Sequence, residues 1–315
     1  DNLNKVGGQC SELYPDKPIF DIPGVPNQTA EEHIEALLEQ IKPFDYGLHL
    51  DQRVDEISQL DSGSDIKKWK VTTSESKEFI AKNIFIAAGG GSFEPRRPPN
   101  ILDPDKYLGK GVAYSVKKKE LYKDKNLIIF GGGDSALDWT IELADITKSL
   151  TLVHRRDSFR GSPNTETQMR ELVETGNVNL KTPYVIEGIQ GSSKVSGVSI
   201  KNFENKKIEL MDCNEILFLF GLNKKLGPIA NWGLNIVDKK ISVDTEKYQT
   251  NEDGIFAVGD INDYPGKLDL ILCGFHETTL AVQHAYRRCF PGERVPFGYT
   301  TSNSKLHKKL GVKVD

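Results

Sequence analysis

Cysteine is scarce: four in 315 residues, Cys10, Cys213, Cys273 and Cys289, with no C-x-x-C pair among them. That excludes a local redox dithiol, and the lack of any ligand spacing with the six histidines excludes a zinc ribbon or finger. The expectation is reduced, mostly buried thiols in a cytosolic (cytoplasmic) protein with no bound metal. Long apolar runs are missing too, since a stretch such as Ile216 to Phe220 falls far short of the roughly 20 residues that cross a bilayer. Charge of one sign is also absent. With 41 basic and 45 acidic residues the formal net charge is −4, which argues against a general nucleic-acid binder and leaves only local patches to carry electrostatic information. The chain is long enough for two ordinary domains. It does not start with Met, so the sequence leaves open whether a targeting peptide precedes it.

The most informative stretch is Lys125 to Arg160. Asn126 to Phe130 is an apolar run of strand length, Gly131-Gly132-Gly133 a tight turn, and Asp134 to Ile146 carries apolar residues at helical spacing. The pattern Gly131-x-Gly133-x-x-Ala136 fits a dinucleotide-binding turn. The first glycine permits the turn, the second lets a pyrophosphate approach the backbone, and the small Ala136 lets helix and strand pack closely. The helix N-terminus, at Asp134 and Ser135, then offers free N–H groups to the phosphates. A second strand, Ser149 to Val153, ends in His154-Arg155-Arg156 with Arg160 close behind. An NAD site places a carboxylate there for the ribose hydroxyls. Arginines in its place predict NADP(H) over NAD(H).

The chain opens on Asp1 followed by Gly7-Gly8-Gln9. Cys10 to Pro26 is rich in proline and aromatics and predicts an ordered loop carrying Tyr14. Thr29 to Ile41 predicts an amphipathic helix capped by Thr29. Leu48 to Leu60, which includes Val54, Trp69 to Thr73 and Glu78 to Ala81 predict a small antiparallel sheet. Asn83 to Gly91 predicts a buried strand running into glycines, with Phe93 just beyond. Prolines at 95, 98, 99 and 104 mark a linker. Then come a β-rich return at Tyr184 to Ile189, Val195 to Ile200 and Lys207 to Met211, and a buried strand at Glu215 to Phe220. A crossing follows at Gly221 to Gly227, with a strand ending at Gly259-Asp260 and a long helix over Leu270 to Phe290. The expected fold class is α/β, two Rossmann-like dinucleotide-binding domains. One is discontinuous, 1–108 with 222–315, and encloses the other, 109–221.

With GGQ at Gly7 to Gln9, GGGDSA at Gly131 to Ala136, HRRDSFR at His154 to Arg160 and GIFAVGD at Gly254 to Asp260, the chain resembles the thioredoxin-reductase superfamily over nearly its whole length. Thioredoxin reductases carry a C-x-x-C in the segment aligned with Gly111 to Val116, where this chain has no cysteine. Gln9, Tyr14, the S-F-E-P-R around Phe93 and the C-terminal extension instead resemble the thioredoxin-reductase-type ferredoxin–NADP reductases. In that family FAD relays electrons between NADPH, as hydride, and ferredoxin or flavodoxin, as single electrons. The resemblance implies FAD contacts at Asp1, Gln9, Tyr14, Val54, Phe93, Asp260 and Thr301, with Tyr299 or His307 as stacking candidates. It implies a homodimer, no side-chain acid or base, and roughly 35 upstream residues carrying the FAD phosphate loop. His276 and Glu277 are expected to be structural. A basic docking surface for an acidic carrier is expected at Lys117 to Lys119 with Lys123 and Lys125, or at Lys305 with Lys308 and Lys309. Two alternatives stand beside this reading: an NADP(H)-binding module without turnover, and a flavin reductase serving another carrier.

Overall fold

A computed structural model describes residues 1–60, 63, 66–91, 94–295 and 298–312. The chain divides into two compact units, Asp1–Glu12 with Lys17–Ser92 and Lys224–Asp315, and Leu13–Asp16 with Phe93–Asn223. The second unit thus takes in more of the proline-rich segment than 109–221. Tyr107 is buried there beside Val112 and Ile128, and Glu94–Pro95 pairs antiparallel with Leu222–Asn223. Arg97, Asp105 and Tyr114 lock that segment down: guanidinium Nε and the Tyr114 hydroxyl donate to the two Asp105 oxygens at 2.8 and 2.7 Å.

The second unit is built on five parallel strands in the spatial order Val178–Lys181, Ser149–Val153, Asn126–Gly131, Glu215–Leu219, Val112–Ala113. The Asn126–Gly131 strand is covered on both faces, which is why it reads as an unbroken apolar run. Leu127 and Ile129 pack with Ala136, Leu137, Leu143 and Met169 of the helices Asp134–Ala144 and Pro163–Glu174. Ile128 and Phe130 pack with Ile186, Val198 and Ile200 of an antiparallel sheet formed by Tyr184–Gly191, Val195–Asn202 and Ile208–Asp212. Strand order reverses between Asn126–Gly131 and Glu215–Leu219. The crevice at their carboxyl ends is where this architecture takes ligands.

The first unit contains the antiparallel sheet Val54–Leu60, Lys68–Thr73, Glu78–Ala81 and a parallel pair, Ile84–Ile86 with Ile255–Ala257. Residues 48–53, expected to begin the first of these strands, are irregular, and Asp51 there has φ of 54°. Helix Ala30–Ile41 starts with a full capping box. Glu32 N donates to Thr29 Oγ1 at 3.2 Å and Thr29 N to Glu32 Oε2 at 2.7 Å. Thr29→Ala is expected to cost about 1 kcal/mol, read as a lower urea midpoint.

The long helix Ile271–Cys289 lays Ala281 and Ala285 on Phe256 and Val258. Its last turn is tied down by Arg288, which donates to Asn83 Oδ1 at 2.9 Å, to the Lys67 and Lys82 carbonyls, and to Asp253. No helix among the described residues is long and apolar enough to cross a membrane.

Candidate nucleotide and cofactor sites

In the second unit, Gly133 is the N-cap of helix Asp134–Ala144, and no side chain caps that end. The first N–H groups of the helix are therefore available to an anion. None of Gly131, Gly132 and Gly133 has positive φ. Gly131 is therefore required for space and not, as the spacing suggested, for turn conformation. A Cβ at Gly131 would lie 2.6 Å from the Leu219 carbonyl oxygen and 2.6 Å from Ala136 Cβ; one at Gly132 would meet the His154 ring at 2.3 Å. One at Gly133 would meet nothing within 4 Å. That open side is the cradle a pyrophosphate fits.

His154 stacks on Phe159, ring centroids 5.2 Å apart, and Arg170 lies over the far ring at 5.5 Å. Burial, and then the Arg155, Arg156 and Arg160 charges, hold the His154 imidazole below its usual pKa, so it is neutral at pH 7. Arg155, Arg156 and Arg160 are exposed. The arginine loop is bonded to the glycine turn itself, because Arg160 N donates to the Gly132 carbonyl at 2.7 Å. Asp134 Oδ1 accepts from Ser162 N at 3.0 Å. Asp134 and Ser135 are exposed at the helix start and Ala136 is fully buried. All nine residues singled out for NADP(H) thus fall at one carboxyl-terminal sheet end. Phe159 and Arg170 belong with them, and only their stacking reveals it.

In the first unit three glycine-containing segments converge. Gln9 Nε2 donates to Asp260 Oδ2 at 3.1 Å, and a Cβ on Gly89 would lie 3.6 Å from the same Gln9 nitrogen. Gly259 has φ of +76°, and a Cβ on Gly274 would lie 3.6 Å from Gly259 Cα, so turn and helix approach closely. Helix Ile271–Cys289 has Leu270 as N-cap and no side-chain cap, leaving its first N–H groups for a ligand. Asn262 is fully buried and its Oδ1 has no partner. Asp1 is bonded to the segment that leads into the Val54–Leu60 strand: its Oδ1 accepts from Leu3 N at 3.0 Å, and its carbonyl accepts from Gln52 N at 2.8 Å.

Tyr14 belongs to the second unit, partly buried against its Leu127 and Leu137 cluster. Phe93 falls outside the described residues. Thr301 sits exposed in the short turn Thr300–Ser302, and His307 Nε2 lies 2.7 Å from the Thr300 carbonyl oxygen. Tyr299 is 75% exposed. Of the expected docking lysines, Lys119 is bound to Glu142 at 2.5 Å and Lys309 lies over the Phe44 ring at 4.8 Å. Among the described residues no three His, Cys, Asp or Glu side chains gather as a metal site would require.

A parallel sheet with an uncapped glycine turn at its switch point and an arginine loop bonded to it defines a pyridine-nucleotide-binding protein. The family model of the pyridine nucleotide-disulphide oxidoreductases matches residues 17–286, and the chain belongs to that family. Proteins named ferredoxin–NADP reductase from Bradyrhizobium diazoefficiens and Nitrobacter hamburgensis are 48% and 49% identical to it, over 99% of this chain and 90% of each of theirs. Among solved structures, thioredoxin reductase from T. acidophilum superposes with a TM-score of 0.75 at 18% identity, covering 92% of this chain and 89% of that one. The Lactococcus lactis enzyme gives 0.73 at 24% identity, covering 90% and 87%. These two likenesses establish the fold.

Proposed function

We propose that the protein is an FAD-dependent oxidoreductase that moves electrons between NADPH and ferredoxin, with flavodoxin as a second carrier. The observation that carries this reading is the near-full-length likeness, close to half the residues, to proteins of that name. The alternative of dithiol chemistry finds no support where thioredoxin reductases carry it. In the aligned segment Gly111 to Val116 there is no cysteine, Val112 and Val116 are 1% and 0% exposed, and Val112–Ala113 is a strand of the sheet.

The second unit's residues divide the work on NADP(H). The N–H groups at Gly133 to Ser135 take the pyrophosphate, and Arg155, Arg156 and Arg160 take the 2′-phosphate. In the first unit Asp1 and Val54 hold the adenosine end of FAD, while Gln9, Asp260 and the first turn of helix Ile271–Cys289 hold the flavin end. The helix dipole there favours negative charge on the reduced ring. FAD, when bound, supplies the exchange between an electron pair and single electrons. No residue is assigned as acid or base, because positioning suffices for hydride transfer. A homodimer is part of the same proposal.

The test is direct. Purified full-length protein should show flavin absorption, bleach with NADPH far faster than with NADH, and pass electrons to ferredoxin or flavodoxin but not to thioredoxin. Protein without flavin bands after FAD reconstitution, or thioredoxin as the efficient acceptor, would refute it. Sedimentation at micromolar concentration tests the dimer.

A further inference from the structure

We infer that Glu277 is a positioning residue for the flavin end of the first unit, acting through the Gly259–Asp260 turn and not by contact with reacting atoms. The inference rests on FAD binding as proposed above. Glu277 is 0% exposed. An ionised carboxylate in such a place is tolerated only with charge and hydrogen-bond compensation, and this one has both. Its Oε2 accepts from Gly259 N at 2.6 Å and Asn262 Nδ2 at 2.8 Å. Its Oε1 accepts from the Tyr264 hydroxyl at 2.9 Å and from Lys267 Nζ at 2.5 Å, and the Lys267 side chain is only 5% exposed.

Stability alone does not account for such a pair, since replacing a buried ion pair by apolar groups of similar volume is often neutral or stabilising. What the pair does is set register. One carboxylate, in the second turn of helix Ile271–Cys289, fastens the glycine turn, the Asn262 side chain and the 264–270 loop that leads into the same helix. Gly259 is held by its backbone N–H, in a positive-φ conformation, one residue before the Asp260 that bonds Gln9. The turn therefore has a single position relative to the uncapped helix end. Displacing it moves Asp260 and the helix N–H groups out of common register, and cofactor affinity falls before the fold does.

Three variants of the full-length protein test this: E277Q, E277Q/K267M and E277L/K267M. FAD affinity is read by titrating apoprotein, fold by thermal melting of apoprotein, and second-unit integrity by NADP⁺ binding. E277Q leaves the Lys267 ammonium without a counter-charge and should weaken FAD about tenfold or more, with NADP⁺ affinity unchanged. E277Q/K267M removes that charge while its amide oxygen still accepts from Gly259 N and Asn262, and should recover to within about threefold of wild type. E277L/K267M should melt above E277Q, which leaves a buried charge unpaired, yet remain about tenfold or more weaker for FAD, because no acceptor is left for Gly259 N. Wild-type FAD affinity in E277L/K267M would overturn the inference. So would FAD affinities that merely follow the melting temperatures across all three variants, a comparison that holds even if the leucine variant folds poorly. Failure of the wild-type protein to bind FAD would instead refute the flavoprotein reading.

Discussion

Replacing Arg155 and Arg156 together by alanine is expected to raise the KM for NADPH by about 10²- to 10³-fold while leaving that for NADH within about threefold. Both side chains are exposed directly after the Ser149–Val153 strand, and the next residue with a carboxylate, Asp157, follows them instead of occupying the strand end. A charge-assisted hydrogen bond contributes roughly 1.5–3 kcal/mol, and solvent screening keeps these exposed side chains at the lower end, so losing two costs about 3–4 kcal/mol, the range given. His154 adds no compensating charge, since burial and the arginines keep it neutral. The arginines stand in solvent, so the NADPH preference should also shrink as salt rises. Steady-state assays with a dye acceptor and both nucleotides decide the matter. An equal rise in KM for NADH would mean that the loop supports the turn and does not read the 2′-phosphate.

Gly131→Ala should be as damaging by another route. Its Cβ would stand 2.6 Å from both the Leu219 carbonyl oxygen and Ala136 Cβ, in a central strand and in the first turn of the helix. Neither can retreat without shifting an element buried on the unit's core. The expected outcome is overpacking of about 1–3 kcal/mol or more, a lower melting temperature and at least a hundredfold loss of NADPH affinity. Gly133→Ala is the control: with nothing within 4 Å of the new methyl, melting stays at the wild-type value and only nucleotide binding falls. If Gly131→Ala melts and binds as wild type, the close approach of turn, strand and helix has been misread.

The strand–turn–helix at Asn126 to Ala144 was legible because local signals suffice there: an apolar run, glycines, then helical spacing. Thr29 announced its capping box in the same way. The Pro163–Glu174 helix and the Val178–Lys181 strand are only faintly signalled, although Ser162 before Pro163 is a start signal and Met169 faces the core. The helix is polar on most of its surface and the strand is only four residues long, so both periodicities are weak. The pairing of Ile84–Ile86 with Ile255–Ala257 joins segments distant in sequence, and no local pattern encodes it. The same holds for Glu277. Its sequence neighbours suggest a structural residue, and only the arrival of Gly259, Asn262, Tyr264 and Lys267 at one carboxylate gives it a task. Tyr14 shows the converse. The resemblance names it for the flavin, and no local pattern tells that Leu13–Asp16 packs with the second unit while Asp1–Glu12 belongs to the first.

The bond from Arg160 N to the Gly132 carbonyl makes the phosphate turn and the arginine loop a single piece. In the proposed NADP(H) role, such a site acts as a chelator toward the nucleotide. Once one anionic group of the intact dinucleotide is seated, the ribose between them delivers the other at high effective concentration, and a rigid receptor loses little entropy in taking it. Adenosine 2′-phosphate or a pyrophosphate fragment, each offering one tooth of that chelate, should together bind far more weakly than NADP⁺.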